Sequence, residues 1–80
     1  MASTALRDLA AIPPRYATAI LEFIYALLAE NPQRVGKPLG RDLEGSYSAR
    51  RGDYRVIYEI HGEDVLVTRI NHRASIYRPR

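Results

Sequence analysis

Arginines recur through the C-terminal half of this sequence at positions that neighbouring β-strands would bring together. Arg50 falls near the end of one alternating run, Arg55 near the start of the next and Arg69 near the end of a third; His72, Arg73, Tyr77, Arg78 and Arg80 follow. A guanidinium keeps its charge at any accessible pH and presents a planar fork of donors that fits a phosphate. Histidine is the residue type whose ordinary titration lies near neutrality. In an antiparallel meander the end of one strand adjoins the start of the next, so Arg50, Arg55 and Arg73, with His72 and Tyr77, are expected to converge on one edge of a sheet. Lys37, Arg34 and Arg41 suit sequence-blind phosphate contacts. Plainer roles exist for each residue. Arg50 and Arg55 can pair with Asp53 or Glu59, His72 can be an ordinary strand-end histidine, and Tyr77 can anchor the tail. Tyr47, Tyr54 and Tyr58 are expected in the core or half-buried on the sheet.

The charge distribution supports a polyanionic partner. The chain carries 12 basic and 9 acidic residues, a net +3. Ten of the bases, nine of them arginine, lie in residues 34–80, and a basic, arginine-dominated half is the electrostatic footprint of polyanion binding. Other chemistries find no motif. There is no cysteine, so disulfides and thiolate metal sites are excluded, and His61 and His72 have no further soft ligand. No Gly-rich loop precedes a helix, no HExxH occurs and no nucleophile elbow is present. Asp42, Glu44, Asp53, Glu59, Glu63 and Asp64 sit beside arginines or turns, a poor basis for a paired-carboxylate site. No apolar run approaches the roughly 18 residues of a membrane span, and the N-terminus lacks the h-region of a signal peptide. Cytoplasm is the expected compartment, with no cofactor.

The elements that must position these residues follow from periodicity. At 80 residues the chain is expected to form one domain. Ser3 or Thr4 can cap a short helix through Ala11 with Ala5, Leu6, Leu9 and Ala10 as its apolar side. Residues before proline leave the helical region, so a break is expected at Ile12, and Pro14 can open a second helix. In that helix Ala17, Ile20, Leu21, Ile24, Leu27 and Leu28 recur at helical spacing and should be core. Residues 31–45, with two prolines and three glycines, read as a connector pinned by Val35, Leu39 and Leu43. From Ser46 the period becomes two. Arg51-Gly52-Asp53 and His61-Gly62-Glu63-Asp64 are turn signals. Residues 46–51, 54–61 and 64–71 should therefore form a three-stranded antiparallel meander. The alternation groups Val65, Val67 and Arg69 on one face. The fold class is α+β, an N-terminal αα-hairpin packed on one face of that sheet.

The stretch Leu43-Glu44-Gly45-Ser46-Tyr47-Ser48-Ala49-Arg50-Arg51-Gly52-Asp53-Tyr54-Arg55-Val56-Ile57-Tyr58 resembles the central motif of the RelE/ParE toxin superfamily. Asn71-His72-Arg73 and Ile76-Tyr77-Arg78 follow at the expected distance, and the two-helix front ending in a Lys-Pro-Leu connector also matches. The tail, with His-Arg and a later tyrosine, is more similar to the ribonuclease branch. This resemblance implies a RelE-like toxin of a type II toxin–antitoxin system, a ribosome-dependent endonuclease of messenger RNA that inhibits translation. Its implied partners are a RelB-like antitoxin, the ribosomal A site and messenger RNA, with no membrane and no metal. The implied reaction is attack of the RNA 2′-hydroxyl on the adjacent phosphate, leaving a 2′,3′-cyclic phosphate.

Carried over by residue, the resemblance assigns Arg55 to the scissile phosphate, Arg73 to the leaving-group side and Tyr77 to substrate orientation or stacking. Arg50 matches the second of two lysines given base or charge-stabilising roles, and His72 becomes the candidate general acid or base. Lys37, Arg41, Arg51 and Arg78 are the expected RNA-binding residues. Two departures stand out. Ser48 occupies the place of the first lysine and cannot supply its charge. The family also opens with a β-strand, whereas this chain begins within the cap of the first helix, so one sheet edge is expected to be unpaired. These departures favour the alternative of a non-catalytic antitoxin-binding or ParE-like gyrase-inhibiting member, or a truncated inactive toxin; a generic basic RNA-binding module is a third reading.

Overall fold

Residues 54–61 alternate between core and open side chains, and in the computed structural model, which describes residues 1–28, 30–39 and 45–72, they form a central strand of an antiparallel sheet. Its strands lie in chain order: β1 (Lys37–Leu39), β2 (Ser46–Arg51), β3 (Tyr54–His61) and β4 (Asp64–His72). The meander β2–β3–β4 lies where the alternation places it, with β4 one residue longer. The loops Gly52-Asp53 and Gly62-Glu63 each place a glycine at φ 62°, the positive value that two-residue hairpin loops require. The connector, however, contains structure. It holds a single helical turn, α3 (Pro32–Val35), and then β1, whose Lys37, Pro38 and Leu39 pair with Ser48, Tyr47 and Ser46. The sheet is therefore four-stranded rather than three-stranded. Three residues centred on a proline carry no readable period, and pairing with β2 alone makes them a strand.

The helices also differ in detail from their periodicity. Helix α1 (Ser3–Ala10) takes Ala2 as its N-cap with no side-chain cap bond, so Ser3 and Thr4 lie inside it. Of its expected apolar side, Ala5 is fully buried and Leu9 packs on the core, whereas Leu6 is 53% exposed. Helix α2 (Pro14–Phe23) starts at the expected proline and runs into a π-helical turn over Ile24–Leu28. The wider turn brings residues five apart into line, so that Phe23 and Leu28 are both buried with Ile20 and Ile24. These side chains meet Ala49, Val56, Tyr58, Val67 and Ile70 from the covered face of the sheet.

Strand β4 carries a bulge that reverses its phase. Ile57 pairs with Arg69 but Tyr58 pairs with Val67, leaving Thr68 as the extra residue. Beyond it Ile70 turns inward, 3% exposed, and Arg69 turns outward, against the grouping of Arg69 with Val65 and Val67 expected from strict alternation. Of the two sheet edges, one of which is expected to be unpaired, that of β4 is met by α1. The Ala2 N–H donates to the Val67 carbonyl (2.8 Å) and the Thr4 hydroxyl to the Thr68 carbonyl (2.6 Å). The Ile70 N–H donates to the Asp8 carboxylate (2.9 Å). Helix α1 thus does for this edge part of what a paired strand would do.

Candidate functional site

Pleating sorts the expected site residues onto two faces. Side chains alternate across a strand, and the buried Ala49, Val56, Tyr58, Val67 and Ile70 mark the face under the helices. By register Lys37 stands opposite Ser48, Arg50 opposite Arg55, and Asn71 opposite Arg55 on its other side, all on the open face. Lys37, Ser48, Arg50 and Arg55 line one cleft of about 450 Å³. Val35, Leu39 and Ala49 complete its lining, and Ser48 is the small polar residue among the three cations. Directly opposed residues have Cβ atoms about 4.5–5.5 Å apart, and i, i+2 neighbours on one strand are about 7 Å apart. Long side chains from Lys37, Arg50 and Arg55 can therefore meet on one anion the size of a phosphate.

The backbone beside Lys37 is held from below. The Tyr58 hydroxyl, at the bottom of the core, donates to the Pro32 carbonyl and accepts from the Gly36 N–H. Burial raises the phenol above its ordinary 10.0, and the nearby Tyr47 ring, stacked at 5.6 Å, adds to the rise; the Gly36 bond offsets it in part. A Cβ at position 36 would stand 2.1 Å from the Tyr58 oxygen and 3.0 Å from the Ser48 carbonyl, so only glycine fits. The α3–β1 corner is thereby seated on β2 and β3, and Lys37 follows directly.

His72 and Arg51 are not part of that cleft. His72 pairs with Tyr54 at the end of β4 and projects on the covered face, where its ring meets Tyr54 edge-on (centroids 5.0 Å apart, planes at 80°). Arg51, Tyr54 and His72, with Tyr16 of α2, line a separate pocket of about 390 Å³. The rings of Tyr16 and Tyr54 are 6.0 Å apart, and the Arg15 guanidinium lies 4.8 Å from the Tyr16 centroid. The expected convergence of His72 with Arg50 and Arg55 is thus corrected. Residues 54 and 55 point to opposite faces, and His72 shares its face with Tyr54. Arg73, Tyr77, Arg78 and Arg41 lie outside the described residues.

Arg69 reaches the open face through the bulge, but it has a partner there. Its Nε donates to Asp8 Oδ2 at 2.8 Å, the same oxygen that accepts from the Ile70 N–H. Partial burial pushes the Asp8 carboxyl up, but the bonds from Arg69 and Ile70 and the charges of Arg69 and Arg7 outweigh it. The carboxyl is held below its ordinary 3.8, and Arg69 is raised in turn by the same pairing. No local pattern announced this pair, whose members are 61 residues apart. At the far end of the open face His61 pairs with Glu59 (2.8 Å). Among the described residues no cluster of three or more His, Asp or Glu could hold a metal ion, and no helix is long and apolar enough to cross a membrane.

Comparison with known proteins agrees with this architecture. The profile of the ParE toxins of type II toxin–antitoxin systems, parDE, matches residues 1–77. The toxin RelG of Mycobacterium tuberculosis is 51% identical over 78 residues, covering 95% of this chain and 90% of that protein. The toxin RelE of the same organism is 49% identical over 78 residues, covering 95% of this chain and 80% of its own length. Among solved structures, the toxin–antitoxin complex RelBE2 of M. tuberculosis superposes with a TM-score of 0.84 at 49% identity, over 90% of this chain and 91% of the matched one. The RelB–RelE complex of Methanococcus jannaschii superposes with a TM-score of 0.73 at 26% identity, over 95% and 92%. The α+β fold is that of these complexes' toxins, and the chain belongs to the RelE/ParE superfamily as a toxin of the type II toxin–antitoxin class.

Proposed function

We propose that residues 1–80 act as one toxin domain in the cytoplasm, a ribosome-dependent endonuclease of messenger RNA. The observation that carries this reading is the cleft of Lys37, Arg50 and Arg55 over Ser48 on the open face of the sheet. The RNA 2′-oxygen attacks the adjacent phosphorus and the 5′-oxygen departs. Negative charge grows on the phosphoryl oxygens along the way, where fixed guanidiniums stabilise the transition state more than the ground state. Arg55 and Arg50 supply that charge, with Arg73 on the leaving-group side and Tyr77 orienting the substrate. Arg41, Arg51 and Arg78 add phosphate contacts, and no metal is required. The partner that restrains the toxin is a RelB-like antitoxin, as the RelB-containing complexes among its structural relatives support.

Induced expression followed by mapping of messenger RNA 5′ ends, repeated on isolated programmed ribosomes in chelator, tests this reading. New cuts within translated messages are expected. The match to the ParE profile and the uncharged Ser48 favour a second reading, a toxin that binds a topoisomerase without cutting RNA. Intact messages together with supercoiling defects would select it.

A further inference from the structure

We propose that Lys37 is the general acid of the cleavage, giving its ammonium proton to the departing 5′-oxygen. This assignment rests on the endonuclease reading above and adds the proton donor that it lacks. The pairing of Lys37 with Ser48 places the lysine on the same face as Arg50 and Arg55: Ser48 stands across from Lys37 and one open-face step along β2 from Arg50, whose partner on β3 is Arg55. A phosphate over Ser48 then has guanidiniums on one side and the ammonium on the other.

Among the described residues, the proton inventory of the cleft singles out Lys37. A guanidinium is not deprotonated in proteins, whereas a primary ammonium can pass a proton to an oxygen as basic as a departing alkoxide. Of the other titratable groups on this face, Glu59 stands opposite Ser46, one open-face step from the Ser48 row, where it is bound to His61, and His61 lies a further step along β3. Asp8 is held by Arg69 at the opposite edge. His72 lies on the other face. The mooring of Gly36 by Tyr58 keeps the backbone beside Lys37 in place, as a donor requires. In the balanced step the 2′-oxygen–phosphorus bond forms as the phosphorus–5′-oxygen bond breaks. The 2′-hydroxyl proton goes to solvent water, the 5′-oxygen takes the Lys37 proton, and the amine is reprotonated from solvent.

The test compares wild type, Lys37→Arg, Lys37→Met and Arg55→Ala in single-turnover cleavage on programmed ribosomes. Each is given messenger RNA with either oxygen or sulfur bridging phosphorus and the 5′-carbon at the mapped cut. A thiolate leaves without a proton. Both Lys37 variants should cut the all-oxygen RNA about 100-fold more slowly than wild type, the low end for general acid–base catalysis; on the sulfur RNA Lys37→Arg, which keeps the charge, should recover the wild-type rate, and Lys37→Met, which loses it, should recover only in part. Lys37→Arg should keep wild-type ribosome affinity, and Arg55→Ala should be slow on both RNAs. Because Lys37 is exposed, both variants should fold, which thermal melts check. Equal rates for Lys37→Arg and wild type on all-oxygen RNA would overturn the assignment, as would a defect that persists undiminished on the sulfur RNA. A wild-type chain that leaves ribosome-bound RNA intact would instead overturn the endonuclease reading beneath it.

Discussion

Arg50 and Arg55 stand directly opposite each other on β2 and β3, one pair removed from the Gly52-Asp53 loop. Beside a two-residue loop the closing pair exchanges hydrogen bonds, so the next pair is the non-hydrogen-bonded kind, whose side chains approach most closely. Like charges in that position oppose folding, and cross-strand pairs differ by about 0.2–1 kcal/mol. The pairing makes sense where an anion sits between the two cations. Arg50→Thr is therefore expected to raise stability by a few tenths of a kcal/mol in urea denaturation while slowing cleavage on ribosomes. A variant both less stable and fully active would remove Arg50 from the site.

The Arg55 guanidinium should matter more for turnover than for docking. Removing one donor aimed at developing charge typically costs about 100-fold or more in rate, so Arg55→Ala should lose cleavage on that scale. Arg34→Ala, on α3 away from the cleft, should mainly flatten the salt dependence of ribosome binding. Single-turnover rates and salt titrations separate the two outcomes.

Tyr58 ties the α3–β1 corner to the core through one hydroxyl. Tyr58→Phe leaves the Pro32 carbonyl and the Gly36 N–H without that partner, and the cost should be about 1–3 kcal/mol. Gly36→Ala forces the Cβ into the Tyr58 oxygen and should destabilise at least as much. In the double variant Gly36→Ala/Tyr58→Phe the losses should be less than additive, since both act on one contact. Urea midpoints measure all three.

Asp8 links stability to acid. Its folded carboxyl is held below the ordinary 3.8, so the unfolded chain takes up its proton first as pH falls. The stabilisation is complete above that ordinary value and is lost as pH drops through the lower folded value. Asp8→Asn should therefore cost stability at pH 7, on the order of 1 kcal/mol for a partly exposed pair, and the gap to wild type should close in strong acid. Thermal melts between about pH 2 and 7 give the comparison.

His72 should be dispensable for proton transfer. His72→Gln is expected to leave the cleavage rate and its pH profile unchanged, because the imidazole packs on Tyr54 behind the sheet. Loss of a limb between roughly pH 5 and 7 in that variant would return the histidine to the chemistry.

Local pattern was enough for the meander, the two-residue loops, the Pro14 helix start and the arginines on neighbouring strands. Each depends on residues within a few positions of one another: alternation in Tyr54–His61, glycine at a turn, proline at a helix start. Tertiary contact decided the rest. The strand Lys37–Leu39 exists because β2 offers it a ladder, and that pairing sets Lys37 across from Ser48. The bulge at Thr68 exchanges Arg69 for Ile70 on the core face, a one-residue slip that strict alternation cannot contain. Helix α1 meets the edge of β4 through Ala2, Thr4 and Asp8 across more than 60 residues of chain. His72 parts from Arg55 because the β3–β4 register pairs it with Tyr54. Sequence spacing determines which side chains share a face of one strand, but only the packing of strand on strand and helix on edge decides which faces meet.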